Sequence, residues 1–172
     1  MKGHGTCNCD NKTRRRKKEL IGEIIKRFES KGLKVVTIKM MKASKKLISK
    51  HYPETMAIGL GKKAELGGTK VDDYEKMGKN ILEWLRTYLT EGPVVPMILE
   101  GKNVGKKVRE IVGYTDPIVA KKGTIRGDLG IDSIKKANKE KRATKNLVHV
   151  CDPENFKREI KLWFKPSEIP KK

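Results

Sequence analysis

The sequence is short of cysteine, of acid and of long apolar runs. Its three cysteines, Cys7, Cys9 and Cys151, are too few and too unevenly placed for a disulfide scaffold, which points to a reducing compartment. No apolar stretch approaches the ~20 residues of a membrane-spanning helix. No apolar N-terminal segment of secretory type is present either, so a cytoplasmic protein without a membrane partner is expected. Only 21 acids face 41 lysines and arginines, a formal charge of +20, which favours anionic partners such as nucleotides or RNA. A Walker loop is missing too. GLGKKAELGGTK (59–70) has glycines and lysines but lacks the G-x-x-x-x-G-K spacing that ends in Ser or Thr.

What is present fits one domain. A chain of 172 residues can bury a real core. ELIGEIIKRFESKG (19–32) sets Leu20, Ile21, Ile24, Ile25 and Phe28 on one helical face, with Gly32 at its C-terminal cap. LKVVTIKMM (33–41) is β-rich. Ser44 caps a short helix that Pro53 stops. Residues 54–74 show no period and are expected to form a long surface loop. Helix is predicted for Tyr74–Thr90, a buried strand for 92–101 despite Pro96, and helix again for Asn103–Val112. GTIRGDLGI (123–131) is expected as loop, NLVHV (146–150) as strand, and Pro153–Phe164 as the last helix. The order implies an α+β domain with a largely antiparallel sheet. A strand ahead of the first helix, which such a sheet needs, is missing from the pattern.

Three segments carry the chemistry. GTIRGDLG places an arginine between glycines, NLVHV puts His149 at a strand end, and REIKLWF brings Glu159 in on a helix. A lone histidine on an apolar strand is usually a satisfied core residue. Histidine with a carboxylate and arginines is instead suited to accept a phosphoryl group. In order along the chain, LIGEIIKRFE, GLKVV, HY, GPVV, KGTIRGD, NLVH and EIKLWFKP resemble the nucleoside diphosphate kinase family over most of the length.

The resemblance implies a ferredoxin-like βαββαβ sandwich and ping-pong transfer through His149. By the same resemblance Glu159 would orient the imidazole, and Lys12, Arg109, Thr115 and Arg126 would hold phosphates. Asn146 would contact the ribose, and Tyr52 would lie beside the nucleophile. Mg²⁺ would arrive with the nucleotide, held by its oxygens and not by a protein metal site. Nucleoside tri- and diphosphates would be the partners, nucleic acid a secondary one, and the chain a hexamer or tetramer. The alternative is a scaffold of this fold that binds nucleotide or nucleic acid without transfer.

The chain departs from the family in three places. Ile81, with Leu85 one turn on, stands nearest the position where an aromatic residue usually stacks on the base, leaving Leu85, Trp84 or no residue for that contact. Cys151 replaces a serine two residues after the histidine. Residues 1–18 replace an apolar strand ending in Lys-Pro-Asp with a basic segment, whereas 19–172 read as the kinase-like domain. His4, Cys7 and Cys9 are three crowded ligand types where zinc asks for four spaced ones, so no metal site is assigned. The codons of residues 5–18, displaced by one base, permit Glu-Leu-Val-Ile-Val-Ile-Ile-Lys-Pro-Asp-Ala-Val-Arg-Arg. The segment therefore reads as a frame-displaced translation with the frame restored near Glu19.

Overall fold

The computed structural model describes residues 2–8 and 20–170. Strands β1 (Lys2–Asn8), β2 (Lys34–Ile38), β3 (Met41–Lys42), β4 (Pro93–Glu100) and β5 (Val148–Val150) form an antiparallel sheet of order β2-β4-β1-β5, with β3 also on β4. Helices α1 (Leu20–Glu29), α2 (Lys45–His51), α3 (Ala57–Leu66), α4 (Tyr74–Thr90), α5 (Val104–Val112), α6 (Ile125–Leu129), α7 (Ile134–Lys139) and α8 (Phe156–Trp163) cover it. This is the ferredoxin-like arrangement expected.

β4 explains why both faces are covered. Its buried run alternates between two cores, as side chains of a strand must. Val95, Met97 and Leu99 join Ile24, Phe28, Val108 and Ile125 on the α1/α5 side. Val94 and Ile98 join Ile48, Tyr52, Leu82, Leu89 and Trp163 on the other. Pro96 is tolerated because its missing donor faces a break: its carbonyl accepts from Lys39 N at 3.2 Å, in the gap between β2 and β3.

Four expectations need correction. The first strand is present: β1 lies between β4 and β5, with Thr6 opposite both Pro96 and His149. Two antiparallel neighbours offer backbone donors and acceptors that any chain can satisfy. Lys12 and the basic run 13–18 lie outside the described residues, as does Cys9.

Residues 54–74 are not a loop but a helical extension, because α3 packs antiparallel on α4. Gly61, and Gly78 on α4, serve close packing, whereas Gly68 at φ +85 serves the turn that ends α3. A Cβ on Gly61 would meet the Tyr74 carbonyl oxygen at 2.0 Å, and one on Gly78 the Ala57 oxygen at 1.8 Å. Gly78→Ala therefore has to force the two helices apart. It is expected to cost about 3 kcal/mol, read as a lower urea midpoint with an unchanged m-value.

The third correction is GTIRGDLG, which contains the short helix α6, capped by the Thr124 hydroxyl accepting from Gly127 N at 3.1 Å. The fourth is α7, capped by Ser133 and missed in the lysine-rich stretch before His149. The Ser44 cap, by contrast, is as expected, accepting from Leu47 N at 3.1 Å.

Candidate active site

β5 delivers His149 to the end of the sheet, where its side chain keeps 27% of its exposure. Its two ring nitrogens meet different partners. The Glu159 Oε2 on α8 lies 3.6 Å from Nε2, and the Tyr52 hydroxyl at the end of α2 lies 3.3 Å from Nδ1. A carboxylate facing Nε2 favours the ring proton there, leaving the Nδ1 lone pair to accept from the phenol. Burial, then the nearby Glu159 charge, push the Tyr52 phenol well above its ordinary range, so it stays a neutral donor.

His51 completes an aromatic box that sequence reading did not assign. Its ring sits edge-on to Tyr52, His149 and Trp163, at centroid distances of 4.5, 4.9 and 5.5 Å. The Trp163 indole N–H donates to His51 Nδ1 at 3.2 Å. Indole can only donate, so neutral His51 carries its proton on Nε2. His51, His149 and Glu159 have ligand atoms within 4.8 Å of one another. With one His51 nitrogen engaged by Trp163 and the other protonated, the trio is not a ready metal site. Two imidazoles also suit a soft ion better than Mg²⁺.

Two arginines hold this end of α2 by its carbonyl groups, which a helix leaves unsatisfied. Arg86 donates twice to the Tyr52 carbonyl, at 2.7 and 3.2 Å, and Arg158 to those of Lys50 and His51, at 2.7 and 3.3 Å. No local signal pointed to them, since they stand 34 and 107 residues further along the chain than the carbonyls of Tyr52 and His51.

Arg126 is nearly buried and donates to three carbonyls: Asn146 at 3.1 Å, Gly113 at 2.9 Å and Val148 at 2.5 Å. It thus ties GTIRGDLG to the β5 strand that bears His149. Gly113 allows this: at φ +85 a Cβ would fall 2.4 Å from the Thr124 hydroxyl. Burial pushes the guanidinium down to about 10, still charged at neutral pH. Arg109 on α5 donates to the Cys151 carbonyl at 3.2 Å and pairs with Asp152 at 3.3 Å. Asn146 Nδ2 reaches the Thr115 carbonyl at 3.4 Å. Leu85 is half-buried against the α2/α8 core. His149, Glu159, Tyr52 and Arg126 are thus brought together, with Arg109 one step beyond; Lys12 lies outside the described residues.

Cys151 is buried, its thiol donating to the Asp152 carbonyl at 3.1 Å. Burial first, then Glu159, push it up to about 12, from an ordinary 9.0. At pH 8 its thiolate fraction, and hence alkylation by iodoacetamide, should fall about a thousandfold below a free thiol. Peptide mapping of the native protein checks this; prompt labelling of Cys151 would contradict the buried geometry.

A ferredoxin-like sheet carrying a histidine between a phenol and a carboxylate at one strand end defines the class, and comparison narrows it. The family model described as nucleoside diphosphate kinase matches residues 12–58 and 72–169. The nucleoside diphosphate kinase of Pyrobaculum aerophilum is 40% identical over 166 residues, covering 87% of this chain and 89% of that one. That of Pyrococcus furiosus is 41% identical over 151 residues, covering 87% and 76%. The crystal structure of the Pyrobaculum aerophilum enzyme superposes with a TM-score of 0.87 at 37% identity, covering 99% of this chain and 98% of that one. A Borrelia burgdorferi nucleoside-diphosphate kinase, described as a transition state mimic with bound vanadate and ADP, gives 0.82 at 28% identity, covering 100% and 91%. The chain belongs to the nucleoside diphosphate kinase family.

Proposed function

We propose that the chain passes the terminal phosphoryl group of a nucleoside triphosphate to a nucleoside diphosphate, with His149 as the covalent carrier. The observation that carries this reading is the split environment of the ring: a lone pair on Nδ1 towards the half-open side, a carboxylate behind Nε2. In the first half-reaction the Nδ1 lone pair bonds to the γ-phosphorus while the bond to the β–γ bridging oxygen breaks, and the diphosphate leaves with that electron pair. The ring gains positive charge, which Glu159 stabilises through the Nε2 proton. In the second half a terminal oxygen of an incoming diphosphate attacks the phosphorus and the N–P bond breaks, restoring the neutral imidazole.

Supporting roles follow by position. Arg126, Arg109, Thr115 and Lys12 receive phosphate oxygens, Arg by forked bonds. Asn146 meets the ribose, Leu85 the base, and the Tyr52 hydroxyl moves from Nδ1 to the transferring group. The divalent ion, Mg²⁺, enters with the nucleotide and screens the charge between its phosphates. The vanadate and ADP bound to the Borrelia burgdorferi relative, and the CDP bound to a Halobacterium salinarum one, support nucleotide phosphates as the substrate class. Exposed Tyr114, Ile118 and Val119 between α5 and α6 support a homo-oligomer. No helix among the described residues is long and apolar enough to cross a membrane. The scaffold that binds without transfer has no observation of its own in its favour.

Incubation with γ-labelled ATP tests the reading. Label should appear on the protein in an acid-labile, base-stable form and leave it when unlabelled UDP is added. Acid-stable label, or none, would reject it.

A further inference from the structure

Leu82, Leu85 and Leu89 line the face of α4 that packs on the core shared with Tyr52. Arg86 stands among them at helical spacing, and its side chain keeps only 17% of its exposure. A cation set into an apolar face is costly unless its donors are met.

They are met by protein. Nε and Nη2 donate to the Tyr52 carbonyl at 3.2 and 2.7 Å, while Nη1 pairs with Glu54 at 2.7 Å and with Glu83 at 2.9 Å. That uses four of the five N–H groups, and the one left over cannot fork onto a phosphate. Arg86 therefore grips the main chain and not the nucleotide.

The point it grips governs the site. Tyr52 closes α2 at φ −112 and ψ 77, off the helical path because Pro53 follows it. The turn beyond closes on the Pro53 carbonyl, which accepts from Met56 N at 3.0 Å, so the Tyr52 carbonyl is fixed from outside its own segment. The phenol oxygen lies at the far end of the same residue, where a small rotation at Cα becomes a larger displacement. It faces His149 Nδ1 at 3.3 Å, near the long limit of a useful hydrogen bond.

We propose that Arg86 is a positioning residue for the transfer, acting through the Tyr52 main chain on the hydroxyl that faces the nucleophilic nitrogen. This rests on the reading of His149 as the covalent carrier. Held by the fork, the phenol is placed to donate first to Nδ1 and then to the transferring group. Released, it drifts, and a misplacement of about 1 Å is enough to slow a well-oriented reaction severely. Glu54 and Glu83 serve only to neutralise the guanidinium.

A double-mutant cycle of wild type, Arg86→Met, Tyr52→Phe and the pair tests this in ATP-to-UDP transfer. Methionine keeps the stem that packs between the leucines. Arg86→Met should lower turnover at least about tenfold with KM unchanged, yet slow the Tyr52→Phe protein by less than about twofold. The Glu54→Gln/Glu83→Gln protein, which retains the carbonyl fork, should turn over as the wild type does. If Arg86→Met fails to fold, Arg86→Lys enters the same cycle, since lysine keeps the charge and loses the planar fork. Multiplying losses in the double variant would overturn the inference, because a general loosening of the fold does not depend on the phenol. So would a raised KM at unchanged turnover, which would make Arg86 a nucleotide ligand, or full turnover in either single variant. Label from γ-labelled ATP separates the two readings. No acid-labile label on the wild type would remove the phosphohistidine itself, whereas equal rates of labelling in wild type and Arg86→Met would remove only the role of Arg86.

Discussion

His149→Ala is expected to abolish both the phosphorylated intermediate and net transfer, a loss of at least about four orders of magnitude in turnover. No neighbour can take over. The second imidazole of the box, His51, is buried and its Nδ1 is engaged by the Trp163 indole, so it presents no lone pair to a cleft. The Tyr52 hydroxyl is held neutral by its surroundings and is a poor nucleophile in that state. Nucleotide binding should survive, since His149 contributes no charge to the phosphates in its neutral form, and circular dichroism should show an unchanged fold. Glu159→Gln is expected to be milder, about a hundredfold in turnover, because the amide still presents an oxygen towards Nε2 but no longer offsets the ring's positive charge. Rapid-quench labelling of the three proteins separates these outcomes. Label that persists in His149→Ala would remove the assigned nucleophile, whatever the effect of Glu159→Gln.

The helices with a clean apolar stripe and a side-chain cap were legible from sequence. Asp73 caps α4 by accepting from Lys76 N at 3.0 Å, and the predicted span Tyr74–Thr90 is the observed one. α3 was not legible, because glycine reads locally as a helix breaker while Gly61 and Gly78 act only across the helix pair. The same limit hid α6 and α7, which are one to two turns long and depend on Thr124 and Ser133 caps within stretches rich in glycine or lysine. At the site, the pairing of His149 with Glu159 and Tyr52 was what the family resemblance implied, and the folded chain has both beside the ring. The role of His51 was not implied by it, since it depends on a tryptophan 112 residues away whose only signal was the LWF motif. Arg126 was legible as a cation but not as a tie among three carbonyls, which only the folded backbone brings together.

Replacing residues 5–18 with Glu-Leu-Val-Ile-Val-Ile-Ile-Lys-Pro-Asp-Ala-Val-Arg-Arg is expected to raise the melting temperature by at least about 10 °C. β1 runs between β4 and β5 in a sheet covered on both faces, a place that normally takes a near-continuous apolar strand. The present strand KGHGTCN has two glycines and no large aliphatic residue. Each Val or Ile newly buried is worth about 1.5–3 kcal/mol, and each kcal/mol moves the melting point of a domain this size by roughly 2–4 °C. Several such residues therefore carry the shift past 10 °C even if part of the gain is lost to repacking. The family match begins at Lys12, the position the displaced frame keeps as Lys or Arg, and leaves 1–11 unmatched. Transfer activity should rise with stability, because a larger fraction of the protein would be folded at the assay temperature. Differential scanning calorimetry and the coding DNA test the idea from two sides. An unchanged or lower melting temperature would show that β1 as it stands already satisfies the sheet. Codons that spell mainly Thr and Ala in the shifted frame would show that no displaced strand was ever encoded.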